Sequence, residues 1–306
     1  MNYPIVIVIT GPTASGKSSL SIEVAEQLNA SVISADSRQI YRGIPITTAV
    51  PSAVERLKVK HHLLEFLDLS EYYSAAAFES DALGLIDEAA QRGEKYIVVC
   101  GGSMMYVDAL LYGLDELPTI SDAVRERVKK LYAEIGLEGL NAYLENLDYE
   151  YAQTVDKENT RRVMHAVELC LQSGNKISDI LSGKKNSNRP FKYFKFVIER
   201  DRNELFDRIN RRVEMMVSQG MEDEARSVYH LRHLNSLNTI GFKEWFAYFD
   251  GKMDKATTIA RIAKNTRVYA KKQLTWLARQ NDIIYLAPVD ASSTLVNYIN
   301  NELHNF

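Results

Sequence analysis

The residues with the most chemistry for their spacing lie close to the start of the chain, in the run Gly11-Pro12-Thr13-Ala14-Ser15-Gly16-Lys17-Ser18. A glycine, four residues, a second glycine, a lysine and a hydroxyl make a loop that wraps phosphate oxygens. Gly11 and Gly16 let backbone N–H groups turn inward, Lys17 adds a mobile cation, and Ser18 offers a hydroxyl ligand for Mg²⁺. The flanking residues must hold that loop in place. Five apolar, β-branched residues, Ile5 to Ile9, predict a buried strand ahead of it, and Leu20, Val24 and Leu28 predict a helix behind it. Phosphate binding follows, whether or not the phosphates belong to a nucleotide.

Two further side chains are placed to act on a bound phosphate. The β-rich run Ala30 to Ala35 ends in Asp36-Ser37, which puts a carboxylate at the C-terminal edge of a second strand, where parallel α/β sheets bind ligands. The same Asp-Ser pair also suits a turn or helix cap. Asp201 can cap a helix through Leu205, Ile209, Val213, Met216 and Val217 that stops at Gly220, with Arg212 in line with its apolar stripe and Arg208 one turn before. A buried guanidinium needs an anion; otherwise its stem carries it to the surface. A third strand, Lys95 to Cys100, breaks into Gly101-Gly102-Ser103, either for close approach to a ligand or for a tight turn into a helix. The segment Gln39 to Pro45 reads as a recognition loop exposing Tyr41 and Arg42. Adjacent His61 and His62, read on a helix, would not face one ion and are taken as structural.

At 306 residues, 46% hydrophobic and 25% charged, the chain is ordinary for a soluble protein built as one large domain or as a core with an inserted subdomain. Strand texture is lost after Pro118 and returns at Phe191 to Ile198, following the loop Ser182 to Pro190. The expected layout is therefore a core over 1–118 and 189–306 interrupted by a helical insertion over 119–188. Cys100 and Cys170 are too far apart in unlike contexts for a disulfide framework or a zinc site. The N-terminal apolar run is too short to span a bilayer and feeds straight into the phosphate loop. A cytoplasmic enzyme without membrane attachment is expected.

The net charge of −3 gives no global case for nucleic acid, so that case rests on local distribution. Arg161 and Arg162 fall in the first turn of a helix running on through Leu169. Cations are unfavourable there unless an anion compensates, although a solvated basic face is the plainer reading. Between Lys252 and Arg279 stand eight Lys or Arg and one acid, Asp254, with Tyr269 and Trp276 interleaved. That mixture suits a phosphate backbone with bases to stack, or else a basic amphipathic helix with its aromatics in the core.

Nucleotide hydrolysis would require a strand ending in a metal-holding Asp and a water-positioning residue, whereas the third strand ends in Cys-Gly-Gly. One carboxylate, a phosphate loop and an inward arginine fit a diphosphate leaving group and a weak nucleophile attacking carbon. Here the sequence resembles the tRNA dimethylallyltransferase (isopentenyl-tRNA transferase) family. The likeness is carried by Gly11 to Ser18, Ser34 to Ser37, Ile40 to Gly43, Gly101 to Tyr106, Arg208 with Arg212, Gly241-Phe242, and Thr266 through Gln273 to Trp276. It implies a P-loop NTPase-like α/β fold, a parallel sheet flanked by helices with an all-helical insertion, acting as a monomer.

The implied reaction is transfer of a dimethylallyl group from dimethylallyl diphosphate to N6 of the adenosine 3′-adjacent to the anticodon, position 37, in tRNAs reading codons that begin with U. By the same resemblance Asp36 is the general base, Thr13 and Arg212 contact the leaving diphosphate, and Gly11, Pro12, Thr13, Ala14, Ser15, Gly16, Lys17, Ser18 and Arg212 bind it, with Mg²⁺ on Ser18. The anticodon stem-loop would meet Asp36, Ser37, Arg38, Gln39, Ser103, Arg125, Arg161, Arg162, Val163, Met164, His165, Asn238, Thr239, Ile240, Gly241, Phe242 and Lys243. Ser103 stands where the family commonly has Thr, His165 and Asn238 where it has Arg, Phe242 for Tyr, and Lys243 for Arg. The competing readings are an adenylate isopentenyltransferase acting on free AMP, ADP or ATP, a P-loop kinase using ATP, and a non-catalytic RNA-binding protein.

Overall fold

The computed structural model describes residues 3–115, 117–181 and 188–304. Its frame is a six-stranded, all-parallel sheet: β1 (Ile5–Thr10), β2 (Ser31–Ser34), β3 (His61–His62), β4 (Tyr96–Gly101), β5 (Tyr193–Ile198) and β6 (Ile283–Leu286). The strand order is β3-β2-β4-β1-β5-β6. β1 therefore lies inside, paired with β4 from Ile5↔Tyr96 to Thr10↔Gly101 and with β5 from Val6↔Tyr193 to Thr10↔Val197. Its β-branched run is explained by that position: Val6, Ile7, Val8 and Ile9 are fully buried, each contributing about 1.5–3 kcal/mol.

Parallel strands need crossover connections, and the helices that supply them cover the sheet. Lys17–Leu28 links β1 to β2 and buries Leu20, Ile22, Val24 and Ala25 in the core cluster that holds Ile7, Ile9, Val98 and Phe196. The helix Arg202–Ser218 follows β5, capped by Asp201 through its bonds to the N–H groups of Asn203 and Glu204. Lys255–Leu277 precedes β6. A phosphate loop between an inner strand and its helix, with all strands parallel, is the P-loop NTPase-like arrangement.

Two histidines read on a helix instead form β3, paired with Val32 and Ile33 of β2. Tyr41, expected to be exposed, is buried against Ile40 and Ile44, while Arg42 faces solvent and pairs with Asp68.

The chain divides into two compact units, Met1–Leu111 with Arg189–Phe306, and Tyr112–Asn188. The second is helical: Asp122–Leu147, Tyr149–Thr154, Thr160–Ser173 and Ile177–Ile180. Gly136, at φ 67°, breaks the first of these into two segments. Its own core comprises Val128, Leu140, Leu144, Val163, Val167 and neighbours. Most of the loop expected over Ser182 to Pro190 lies outside the described residues. Among the described residues no helix is long and apolar enough to cross a membrane.

Candidate functional site

The loop after β1 has the backbone that its glycines permit. Gly11 and Gly16 sit at φ 140° and 106°, and Ala14 at φ 64° takes the left-handed conformation without being glycine. Side chains from the helix region after β5 hold the loop's carbonyls: Arg208 Nε donates to Ala14 O at 2.8 Å and Arg200 Nε to Ser15 O at 3.1 Å. Lys17 Nζ donates to Pro12 O at 2.7 Å. Two loop N–H groups are occupied, Ser15 by Pro12 O at 3.3 Å and Thr13 by Gln273 Oε1 at 2.8 Å. The N-cap residue Gly16 has no side chain to fold over the first turn of Lys17–Leu28, which leaves that turn's N–H groups for an anion. Thr13 offers its hydroxyl, which bonds to nothing among the described residues.

Two cavities meet at this loop. A cleft of about 650 Å³ is lined by Gly16, Lys17, Ser18, Arg208, Arg211 and Arg212 among others. A second cavity of about 430 Å³ carries Thr13, Asp36 and Arg38, with Ile209, Val213 and Met216 supplying apolar wall. Arg212 and Met216 line both. Arg212 is half-buried, lines both cavities and makes no hydrogen bond or ion pair among the described residues. Burial pushes its guanidinium down from its ordinary value, opposed by the Asp36 carboxylate. Burial likewise lowers Lys17 to about 8, with Cys100 and Asp36 pulling upward and Arg212 adding to the fall. Three groups that sense one another electrostatically thus surround the junction.

Asp36 caps its own turn and also lines a cavity. Its Oδ1 accepts the Arg38 N–H at 2.8 Å, a turn-capping bond, while the residue still lines the second cavity. Ser37 and Ser103 are tied together: Ser103 Oγ accepts the Ser37 N–H at 2.8 Å and donates to Ser37 Oγ at 3.2 Å. Arg38 reaches the carbonyls of Asn235 and Ser236, fixing the turn ahead of Asn238. Asn238, Thr239, Ile240 and Lys243 also line the second cavity.

Several expected contact residues are placed elsewhere. The Gln39 amide donates to the carbonyls of Thr48 and Ala49 and accepts from Ser34, so it braces a turn. Phe242 is fully buried beside Trp245, and Gly241 is buried too, a Cβ there lying 2.5 Å from Met221 Cε and 2.6 Å from Thr47 Cγ2. Neither presents a side chain to a ligand. Gly101 and Gly102 serve the protein's own packing: a Cβ on Gly101 would lie 2.0 Å from the Ala35 carbonyl oxygen.

In the helical unit Arg161, Arg162 and His165 are exposed, Met164 and Arg125 are half-buried, and Val163 is fully buried in the core. On Lys255–Leu277 the cations separate from the aromatics. Arg261, Lys264, Lys271 and Lys272 face solvent. Tyr269 turns to the second cavity, burial pushing its hydroxyl up to about 12 with Asp36 adding and Arg38 opposing. Trp276 Nε1 donates to Asp108 at 2.8 Å, which ties that ring into the protein. Missed from sequence were the apolar wall residues Met216 and Ile262 and the loop braces Arg200 and Gln273. Gln273 sits one turn from Tyr269 and within the Thr266 to Trp276 stretch that carries the family resemblance.

The parallel sheet, the phosphate loop after its inner strand, the arginine donated across to it and the carboxylate at the end of β2 together define a P-loop group-transfer enzyme. The IPP transferase family model matches residues 39–280. A tRNA dimethylallyltransferase 1 of Phocaeicola vulgatus is 42% identical over 97% of this chain and 98% of its own. One of Bacteroides thetaiotaomicron is 43% identical over 95% and 94%. Among solved structures, the tRNA isopentenylpyrophosphate transferase of Bacillus halodurans superposes with a TM-score of 0.72 at 33% identity, covering 98% of this chain and 97% of that one. A eukaryotic dimethylallyltransferase acting on tRNA gives 0.81 at 27% identity, covering 99% and 80%. The chain belongs to the IPP transferase family and is a prenyl transferase.

Proposed function

We propose that the protein transfers a dimethylallyl group from dimethylallyl diphosphate to N6 of the adenosine 3′-adjacent to the anticodon, position 37, of tRNAs reading codons that begin with U. The observation that carries this reading is Arg212, a cation without a partner among the described residues at the junction of a phosphate cleft and a cavity bearing a carboxylate. The names of the relatives support the choice of tRNA over a free adenine nucleotide. The diphosphate lies on the first-turn N–H groups, Lys17 and Arg212. The N6 lone pair attacks C1 of the prenyl group, the C1–O bond breaks with its electron pair leaving on diphosphate, and Asp36 accepts the N6 proton. The apolar wall of Ile209, Val213 and Met216 suits the five-carbon chain and excludes water from the developing carbocation.

Among the described residues no three His, Cys, Asp or Glu side chains gather as a metal cluster. Ser18, in the cleft with its hydroxyl unbonded, fits a Mg²⁺ held largely by substrate oxygens and water. Such an ion would neutralise charge on the leaving diphosphate. Exposed Arg161, Arg162, His165 and Lys243 would meet the tRNA backbone, and an adenosine in a loop leaves its stack at low cost.

The test offers labelled dimethylallyl diphosphate with either unmodified tRNA or AMP, ADP and ATP. Label in tRNA supports the reading. Label only in free nucleotide moves the protein to adenylate prenylation, and phosphoryl transfer from ATP without prenyl transfer moves it to a kinase.

A further inference from the structure

We infer that Gln273 is a positioning residue for the prenyl transfer, acting through the Thr13 main chain; this rests on the function proposed above. Gln273 is 2% exposed on the inward face of Lys255–Leu277. Its side chain bridges two strand ends 260 and 171 positions away. Oε1 accepts the Thr13 N–H at 2.8 Å, and Nε2 donates to Gly102 O at 2.9 Å.

The bridge has a direction that only an amide supplies. Thr13 presents a donor and Gly102 an acceptor, so a carboxylate would set oxygen against oxygen at Gly102, and an apolar side chain would satisfy neither. Space is matched as well as polarity. A Cβ on Gly102 would lie 2.4 Å from Gln273 Nε2 and 3.2 Å from Gly11 O. Gly102 is therefore glycine so that β4's end, the phosphate loop and this amide can close together.

The consequence for chemistry is orientation. Thr13 cannot donate its N–H to the diphosphate while Gln273 holds it. The loop segment is pinned where Thr13 lines the cavity that Asp36 and Arg212 share. Small misplacements of such donors are costly, because they act on charge that develops only as the C–O bond breaks.

Two variants, Gln273→Met and Gly102→Ala, test this by different routes, the first removing the amide and the second displacing it. Each is expected to lower kcat by about tenfold to a hundredfold with the KM for tRNA unchanged. In a Thr13→Ala background, Gln273→Met is expected to lower kcat less than about twofold further, since its route is already gone. Hydrogen exchange gives a readout independent of turnover: the Thr13 amide should exchange at least about tenfold faster in either variant than in the unaltered protein. Unchanged exchange at Thr13, a fall in kcat that multiplies fully with Thr13→Ala, or loss expressed only in KM for tRNA would each overturn the inference. Should the unaltered protein transfer no prenyl group, the function proposed above fails, and the exchange measurement still decides whether Gln273 holds Thr13.

Discussion

The Arg38 backbone N–H donates to Asp36 Oδ1 at 2.8 Å, so the candidate base is anchored in its own turn by one carboxylate oxygen. Asp36→Asn keeps that acceptor and removes the capacity to take a proton, together with the negative charge that Lys17 and Arg212 sense. Turnover is expected to fall about 10²–10⁴-fold, with tRNA affinity and thermal stability unchanged. Steady-state kinetics beside a melting curve check it; full turnover would reduce Asp36 to a turn cap.

Arg212 borders both cavities and lacks a partner among the described residues. Arg212→Ala should cost about 3 kcal/mol of transition-state stabilisation, roughly a hundredfold in kcat/KM for dimethylallyl diphosphate. Binding of tRNA should barely move. Arg212→Lys should recover only part, because a point charge replaces a planar fork.

Lys17 sets a pH dependence for inorganic diphosphate. Free, its ammonium titrates near 8; a bound polyanion favours the charged form and raises that value. Below pH 8 the group is protonated in both states and affinity does not depend on it. As pH rises above 8, binding must take up a proton, and affinity falls by up to about tenfold per unit. Calorimetry in buffers of different ionisation heat reads the proton uptake directly. Lys17→Met should abolish this component.

The exposed charges of the helical unit carry a salt-dependence prediction. Removing Arg161 and Arg162 together should make the slope of log affinity for tRNA against log salt shallower by about 1.4–1.8. An unchanged slope would make both solvated decoration.

Val163 and Phe242, both fully buried, should act on stability. Phe242→Ala is expected to cost about 3–5 kcal/mol, read in denaturant unfolding. Where the fold survives, any effect on tRNA affinity should follow from the folded fraction alone.

The sheet was legible because β1 and β4 read as apolar runs and β5 is interrupted only by Lys195, all three lying inside the sheet. The two-residue β3 carries no such signal, and its histidines were placed on a helix. The phosphate loop announced itself by glycine spacing, and Arg212 by its register in an apolar stripe. Burial of Val163, Gly241 and Phe242 was not legible, since a stretch named by motif includes the residues that merely hold it. Trp276 and Tyr269 show the same limit: composition does not tell that one ring is tied to Asp108 while the other lines the cavity beside Asp36. The Gln273 bridge joins positions too distant in sequence for any local pattern to reveal.

The central claim is that one site joins a prenyl diphosphate to an adenosine of tRNA. Its most direct test is nucleoside analysis of unmodified tRNA after incubation with the protein and dimethylallyl diphosphate. The expected result is one N6-dimethylallyladenosine per tRNA, located 3′-adjacent to the anticodon, with one diphosphate released. Unmodified adenosine at that position despite folded, diphosphate-binding protein would contradict it.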